Sequence, residues 1–201
     1  MGCSIHIATE IKKNDKWEQV VEIPRSLRDR DYSLFSFLNK TIRNDWEYDG
    51  FDEKGYPEDM VSKYLDLNPE PQDEDDNGWK VDYGDLHGRS WLSLQELIDK
   101  DKSYFCMEKI RVSSKFLDKL NELGVEIPKE INIIEPDLSN ASLTTIIYSV
   151  ASPTSIVYWK DEDCKEEDLT INKGIKELKE IAAKYDITDY NNIRIIFAFD
   201  N

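Results

Sequence analysis

Two histidines, three cysteines, eight glycines and 26 basic side chains against 42 acidic ones are what this 201-residue chain has least of. Each shortage excludes something. Cys3, Cys106 and Cys164 are odd in number and lack CxxC spacing, so neither a disulfide framework nor a zinc knuckle is expected. Reduced thiols in a cytosol are. A net charge of −16 leaves few cations to neutralise phosphates, which argues against nucleic acid and equally against an anionic membrane surface. No window approaches the roughly 18 apolar residues of a membrane span. The first residues have neither the charged region nor the apolar stretch of a secretory signal. Met1-Gly2-Cys3 is not read as a myristoylation site, because His6 stands where that motif needs Ser or Thr. The expected location is therefore cytoplasmic. GxxxxGKS/T, GxGxxG after a strand, HExxH and GxSxG are all missing.

What is present is enough for a folded core, with 39% hydrophobic residues. Residues 3–12 and 16–22 flank the turn-rich Lys13-Asn14-Asp15 and predict a β-hairpin. A helix follows, capped by Asp31 or Ser33 and carrying Leu34, Phe35, Leu38 and Ile42 at helical spacing. Residues 47–86 change character, with fourteen Asp or Glu against three Lys, a net of −11. Pro and Gly mark this stretch as loop, with one short helix expected at about 58–66 and Met60, Val61, Tyr64 and Leu65 inside. It reads as an acidic insertion able to lie over a site. Ser93-Leu94-Gln95-Glu96 is a capping box for a helix at about 93–100. Further helices are expected at about 113–123 and 171–185, and a β-rich run at 155–159, with 141–150 ambiguous between helix and strand. The chain closes on Asn192–Phe199, apolar at nearly every position and hence expected to be a central strand. The expectation is one α+β domain over 1–201. Its small, mainly antiparallel sheet is built from the N-terminal hairpin and the C-terminal strand, with helices packed on it and 47–86 inserted.

Alternation along the first strand sets Cys3, Ile5, Ile7, Thr9 and Ile11 on one face and Ser4, His6, Ala8 and Glu10 on the other. Pairing with the last strand would bring Asp200 beside the Ser4/His6 row. His6 is the leading candidate, since histidine titrates near neutrality and ligates metals. The competing reading is a histidine merely satisfied by hydrogen bonds. Glu10 lies roughly 13 Å along the strand from it, too far to share a metal with it unaided. Cys3 falls on the opposite face, which removes a thiol–imidazole pair. His87, in Asp85-Leu86-His87-Gly88-Arg89-Ser90-Trp91, sits in an expected loop where Asp85 could orient it or His6 join it at a metal. Arg28, Arg30 and Arg43 are conspicuous in so acidic a chain; they suit phosphate or carboxylate, or pair with the insertion. Tyr32, Trp46, Tyr48 and Tyr56 could stack on a purine or pin the insertion down.

Gly2-Cys3-Ser4-Ile5-His6, Arg30–Phe35, Gly55-Tyr56-Pro57-Glu58-Asp59, His87–Leu92 and the ending Arg194–Asn201 resemble a family of tailed-phage and prophage proteins that begin Met-Gly-Cys-Asp-Ile-His. The short motifs run the length of the chain. Ser4 stands where that family usually has Asp, so a ligand or base at that place would be lost here. The resemblance implies a phage-encoded accessory protein, with a counter-defence role among the options, made in a bacterial host cytoplasm. It implies no established reaction.

Three functions follow as expectations. The first is binding of a small polar ligand, such as a nucleotide or nucleotide-derived signal, through Ser4, His6, Arg30, Tyr32, Trp46, His87, Ser90 and Trp91. The second is a metal-assisted phosphodiesterase or related hydrolase that uses His6, His87 and Asp85 or Asp200 with Zn or Mn. The third is an acidic inhibitor whose residues 47–86 engage a host protein's basic surface.

Overall fold

The computed structural model describes residues 3–42, 50–67, 78–82, 84–102, 105, 107–113, 122, 129–134, 154–160 and 165–200. Where composition suggested one domain, the chain divides into two compact units, Met1–Asp101 with Glu166–Asn201, and Lys102–Lys165.

The first unit is an α+β fold around a four-stranded antiparallel sheet. Strands β1 (Ser4–Lys13) and β2 (Lys16–Val20) form the expected hairpin. Asn14 and Asp15 turn it with φ of 48° and 60°, a left-handed pair whose twist suits antiparallel strands. Strand β9 (Ile193–Asp200) pairs with β1 from Ser4↔Asp200 to Ile11↔Ile193. Its other edge takes β5 (His87–Ser93), giving the order β2-β1-β9-β5. The apolar terminal strand is central, as its composition requires. The 85–91 stretch was expected as loop but enters β5 at His87. Gly88, at φ +58°, makes a bulge that shifts the register between His87 and Ser90 and masks the strand's alternation.

One face of this sheet is apolar. Ile5, Ile7, Ile11, Ile193, Ile195, Phe197 and Phe199 are buried there. Helix α1 (Tyr32–Leu38), capped by the Asp31 carboxylate on the Ser33 and Leu34 amides, sets Phe35 edge-on to Phe199. Ile42, expected on that helix, lies beyond its end and is still buried. Helix α2 (Leu94–Asp99) has the full Ser93/Glu96 capping box. Helix α3 (Thr170–Lys184) buries Ile171, Ile175, Leu178 and Ile181. Its Gly174 admits Leu27 so closely that a Cβ would stand 2.2 Å from a Leu27 methyl.

The other face is covered by irregular chain. The helix expected at 58–66 does not form. Only Met60 N–H closes a turn, onto Pro57. The Val61 and Ser62 amides donate instead to Glu10 Oε1 at 2.9 and 2.7 Å, so no helical carbonyl receives them. Val61 is exposed rather than inside. The segment ends in β3 (Tyr64–Leu65), paired with β4 (Trp79–Lys80). Beneath it, Ala8, Leu65, Leu86, Ile196 and Ala198 form a small second core, edged by Tyr56, Met60, Trp79, Val81 and Trp91.

The second unit contains β6 (Met107–Ser113), β7 (Lys129–Ile134) and β8 (Thr154–Lys160), an antiparallel sheet in the order β6-β8-β7. The β-rich 155–159 run lies inside β8. The helix expected at about 113–123 begins where Ser113 ends β6, and the rest of it, Glu122 apart, lies outside the described residues, as does 141–150. No helix among the described residues is long and apolar enough to cross a membrane.

Candidate functional site

The Ser4/His6 row and Asp200 meet as the pairing of the first and last strands requires. Strand β2 reaches only as far as Thr9, so the outer edge of β1 is unpaired at Ile7. Asp66 fills that gap. Its N–H donates to Ile7 O at 2.7 Å, and its Oδ1 accepts from Ile7 N at 3.0 Å. It does so in the left-handed region, φ 52°, which Asp tolerates better than most residues. The same carboxylate takes His6 Nδ1 at 2.8 Å on Oδ2 and Arg28 Nε at 3.2 Å on Oδ1.

His6 is only 7% exposed. A carboxylate only accepts, so Nδ1 carries the proton toward Asp66. The Trp79 indole lies on the ring, centroids 4.4 Å apart. Nε2 faces Asp200 Oδ2 at 3.4 Å, within reach of its charge, yet it is buried and makes no hydrogen bond. Asp200 is held through its other oxygen, Oδ1, which accepts from Ser4 N at 3.0 Å. Arg30 Nη2 donates to Ser4 Oγ at 3.2 Å and has no carboxylate partner among the described residues. His6, Asp66, Asp200, Ser4, Arg28 and Arg30 thus gather at one end of the sheet.

The other sequence candidates go elsewhere. His87 is opposite Phe199 and His6 opposite Ala198, so the two histidines point to opposite faces, two strands and about 10 Å apart. The pair therefore does not converge on one metal. Asp85 is exposed in the turn before β5. Ser90 is buried and accepts from Lys54 N. Tyr32 packs edge-on to Phe35. Trp46 and Arg43 lie outside the described residues, as do Asp73–Asp76.

Trp91 belongs to a separate cleft of about 830 Å³. There Arg194 stacks on Trp17 at 3.8 Å, and Lys54 stands over Trp91 at 4.2 Å. Arg194 is fully engaged: Nε donates to Glu10 Oε2, with Nη2 ion-paired to the same oxygen at 2.7 Å, Nη1 donates to Asp59 Oδ1, and Nη2 to Asp59 O. The Arg194 hydrogen bond holds the Asp59 carboxyl below its ordinary range, with burial opposing, and Trp17 Nε1 bonds its second oxygen. The arrangement ties the 56–66 segment to the sheet.

Among the described residues no three His, Cys, Asp or Glu side chains surround a common point. Among the described residues, His6 Nε2 and Asp200 Oδ2 are a pair brought together with the ring nitrogen free of hydrogen bonds. Sequence reasoning found His6, Ser4, Arg30 and Asp200. It missed Asp66, one of fourteen acids in 47–86; its only signal was an Asp followed by Leu67-Asn68-Pro69, a turn-prone context.

These features define an antiparallel α+β protein with a polar site where its first and last strands meet. No protein-family model, curated protein or solved structure matches the chain.

Proposed function

We propose that this is a phage-encoded accessory protein that binds a small anionic ligand, a nucleotide or nucleotide-derived signal, at the β1–β9 end of the sheet. The observation that carries the reading is Arg30, a guanidinium with no carboxylate partner among the described residues of a chain of net charge −16. Its partner Ser4 holds Asp200, which faces a buried histidine whose Nε2 has no hydrogen bond. Arg30 suits a phosphate because its planar fork matches two oxygens at once. Arg28, its side chain 44% exposed, adds a second positive charge beside the same row.

The test is incubation of the purified protein with a panel of linear and cyclic nucleotides, followed by assay of the free pool before and after heat denaturation. A bound nucleotide disappears and returns intact on heating; a nucleotide returned as product makes the protein an enzyme. The double variant His6→Ala/Arg30→Ala is expected to weaken binding at least tenfold. Affinities unchanged in that variant would overturn the reading.

A further inference from the structure

In the neutral ring, His6 Nε2 stands in a conflict that a second proton or a metal ion resolves. With its proton on Nδ1, the ring presents a lone pair on Nε2, and that lone pair faces a carboxylate oxygen 3.4 Å away. Two acceptors confront each other, Nε2 buried and the Asp200 side chain 24% exposed, so solvent reaches the carboxylate side of the gap. A positive species between them removes the conflict, either a proton or a metal ion.

We infer that His6 Nε2 and Asp200 Oδ2 are the two protein ligands of a zinc ion. The spacing supports it. Zinc sits about 2.0–2.1 Å from a histidine nitrogen and about 2.0–2.2 Å from a carboxylate oxygen, and a tetrahedral angle between such bonds separates the donors by about 3.4 Å. The supports of both ligands are already in place. Asp66 holds Nδ1, which fixes the tautomer that leaves Nε2 free, and Ser4 N–H holds Oδ1, which leaves Oδ2 free. Two protein donors leave two positions for exchangeable ligands, water or the oxygens of an anion. The inference deepens the reading of this end of the sheet as an anion site, because a divalent ion offsets Asp66 and Asp200, which would otherwise repel a phosphate.

The experiment uses the full chain and zinc alone, titrated calorimetrically, with the ring nitrogens of His6 followed by NMR and identified against His87→Ala. One zinc is expected to bind, with Nδ1 protonated and Nε2 metal-bound. Asp200→Asn keeps an oxygen for Ser4 N–H and removes the charged ligand; affinity should fall at least 100-fold. Asp66→Asn acts only through the ring. Its amide donates to Nδ1, which drives the proton to Nε2 and closes the lone pair, so zinc affinity should fall at least tenfold while the metal-free fold persists. Zinc affinity equal in the parent and both variants would place the metal elsewhere and overturn the inference. So would a His6 ring protonated on both nitrogens that zinc does not alter. If the nucleotide panel fails while zinc binding stays sensitive to Asp66 and Asp200, the ligand reading falls and the metal site stands.

Discussion

On one face of the four-stranded sheet Ile5, Ile7, Phe197 and Phe199 meet helices; on the other His6, Glu10 and Arg194 meet irregular chain. Both faces are buried. Helices satisfy their own backbone hydrogen bonds and ask only for an apolar surface. The loop segment 56–66 cannot do this, so the sheet beneath it supplies acceptors: Glu10 for Val61 and Ser62, Asp66 turning back onto Ile7. A polar row on a buried strand is here the price of a lid without secondary structure. The site at His6 sits in that polar layer, where Asp66 and Asp200 face its two ring nitrogens.

The sharpest way to break the comparison is Glu10→Gln. Glu10 is fully buried and Arg194 nearly so, and halving such a pair costs about 3–5 kcal/mol, read by urea unfolding. Replacing buried ion pairs wholesale with apolar residues is often neutral, but Glu10→Met/Arg194→Met should remain destabilised. It strands two backbone amides at about 1–3 kcal/mol each, and hydrogen exchange at Val61 and Ser62 should rise. A neutral double variant would mean the lid does not depend on the sheet.

On the apolar face the rule runs the other way. Thr9 is fully buried there, and its hydroxyl finds no partner. Thr9→Val should stabilise the protein by about 1 kcal/mol in the same assay. Destabilisation would show that the hydroxyl is satisfied in solution.

The smallest effect is acid sensitivity of the polar layer. Asp59, held below its ordinary 3.8 by Arg194, contributes stability above its unfolded value, and loses it as pH falls through the lower folded value. Its side chain is 62% exposed, so screening keeps the contribution below about 1 kcal/mol. Trp17 fluorescence should change below about pH 4 in the parent and show no such transition in Asp59→Asn. Equal profiles would detach Asp59 from the clamp.

The same division explains what could be read in advance. The hairpin, the Asp31 cap, the Ser93/Glu96 box, α3 and the central β9 follow from local rules, and with β9 came the placing of Asp200 beside Ser4. The polar layer is set by contacts between residues far apart in the chain. Residues 58–66 have helical spacing, but their amides go to Glu10, more than fifty positions away, and nothing local announces that. Asp66 looks like its acidic neighbours until the missing strand beside Ile7 is known. His87 fell to the opposite face because a bulge at Gly88 reset the alternation. Histidine pairs cannot be assembled across a register shift from sequence alone.

Strand β9 lies between β1 and β5, which has a consequence during synthesis. The ribosome makes both neighbours at least a hundred residues before the strand that joins them. Until β9 emerges, β1 and β5 each offer an open edge, and the His6 side chain has no Asp200 to face. The sheet closes only after a hundred further residues have followed β5, through contacts of very high sequence separation, a slow step that leaves exposed edges open to aggregation. Cellular yield should therefore respond to growth temperature and chaperone supply more than the stability of the finished fold suggests.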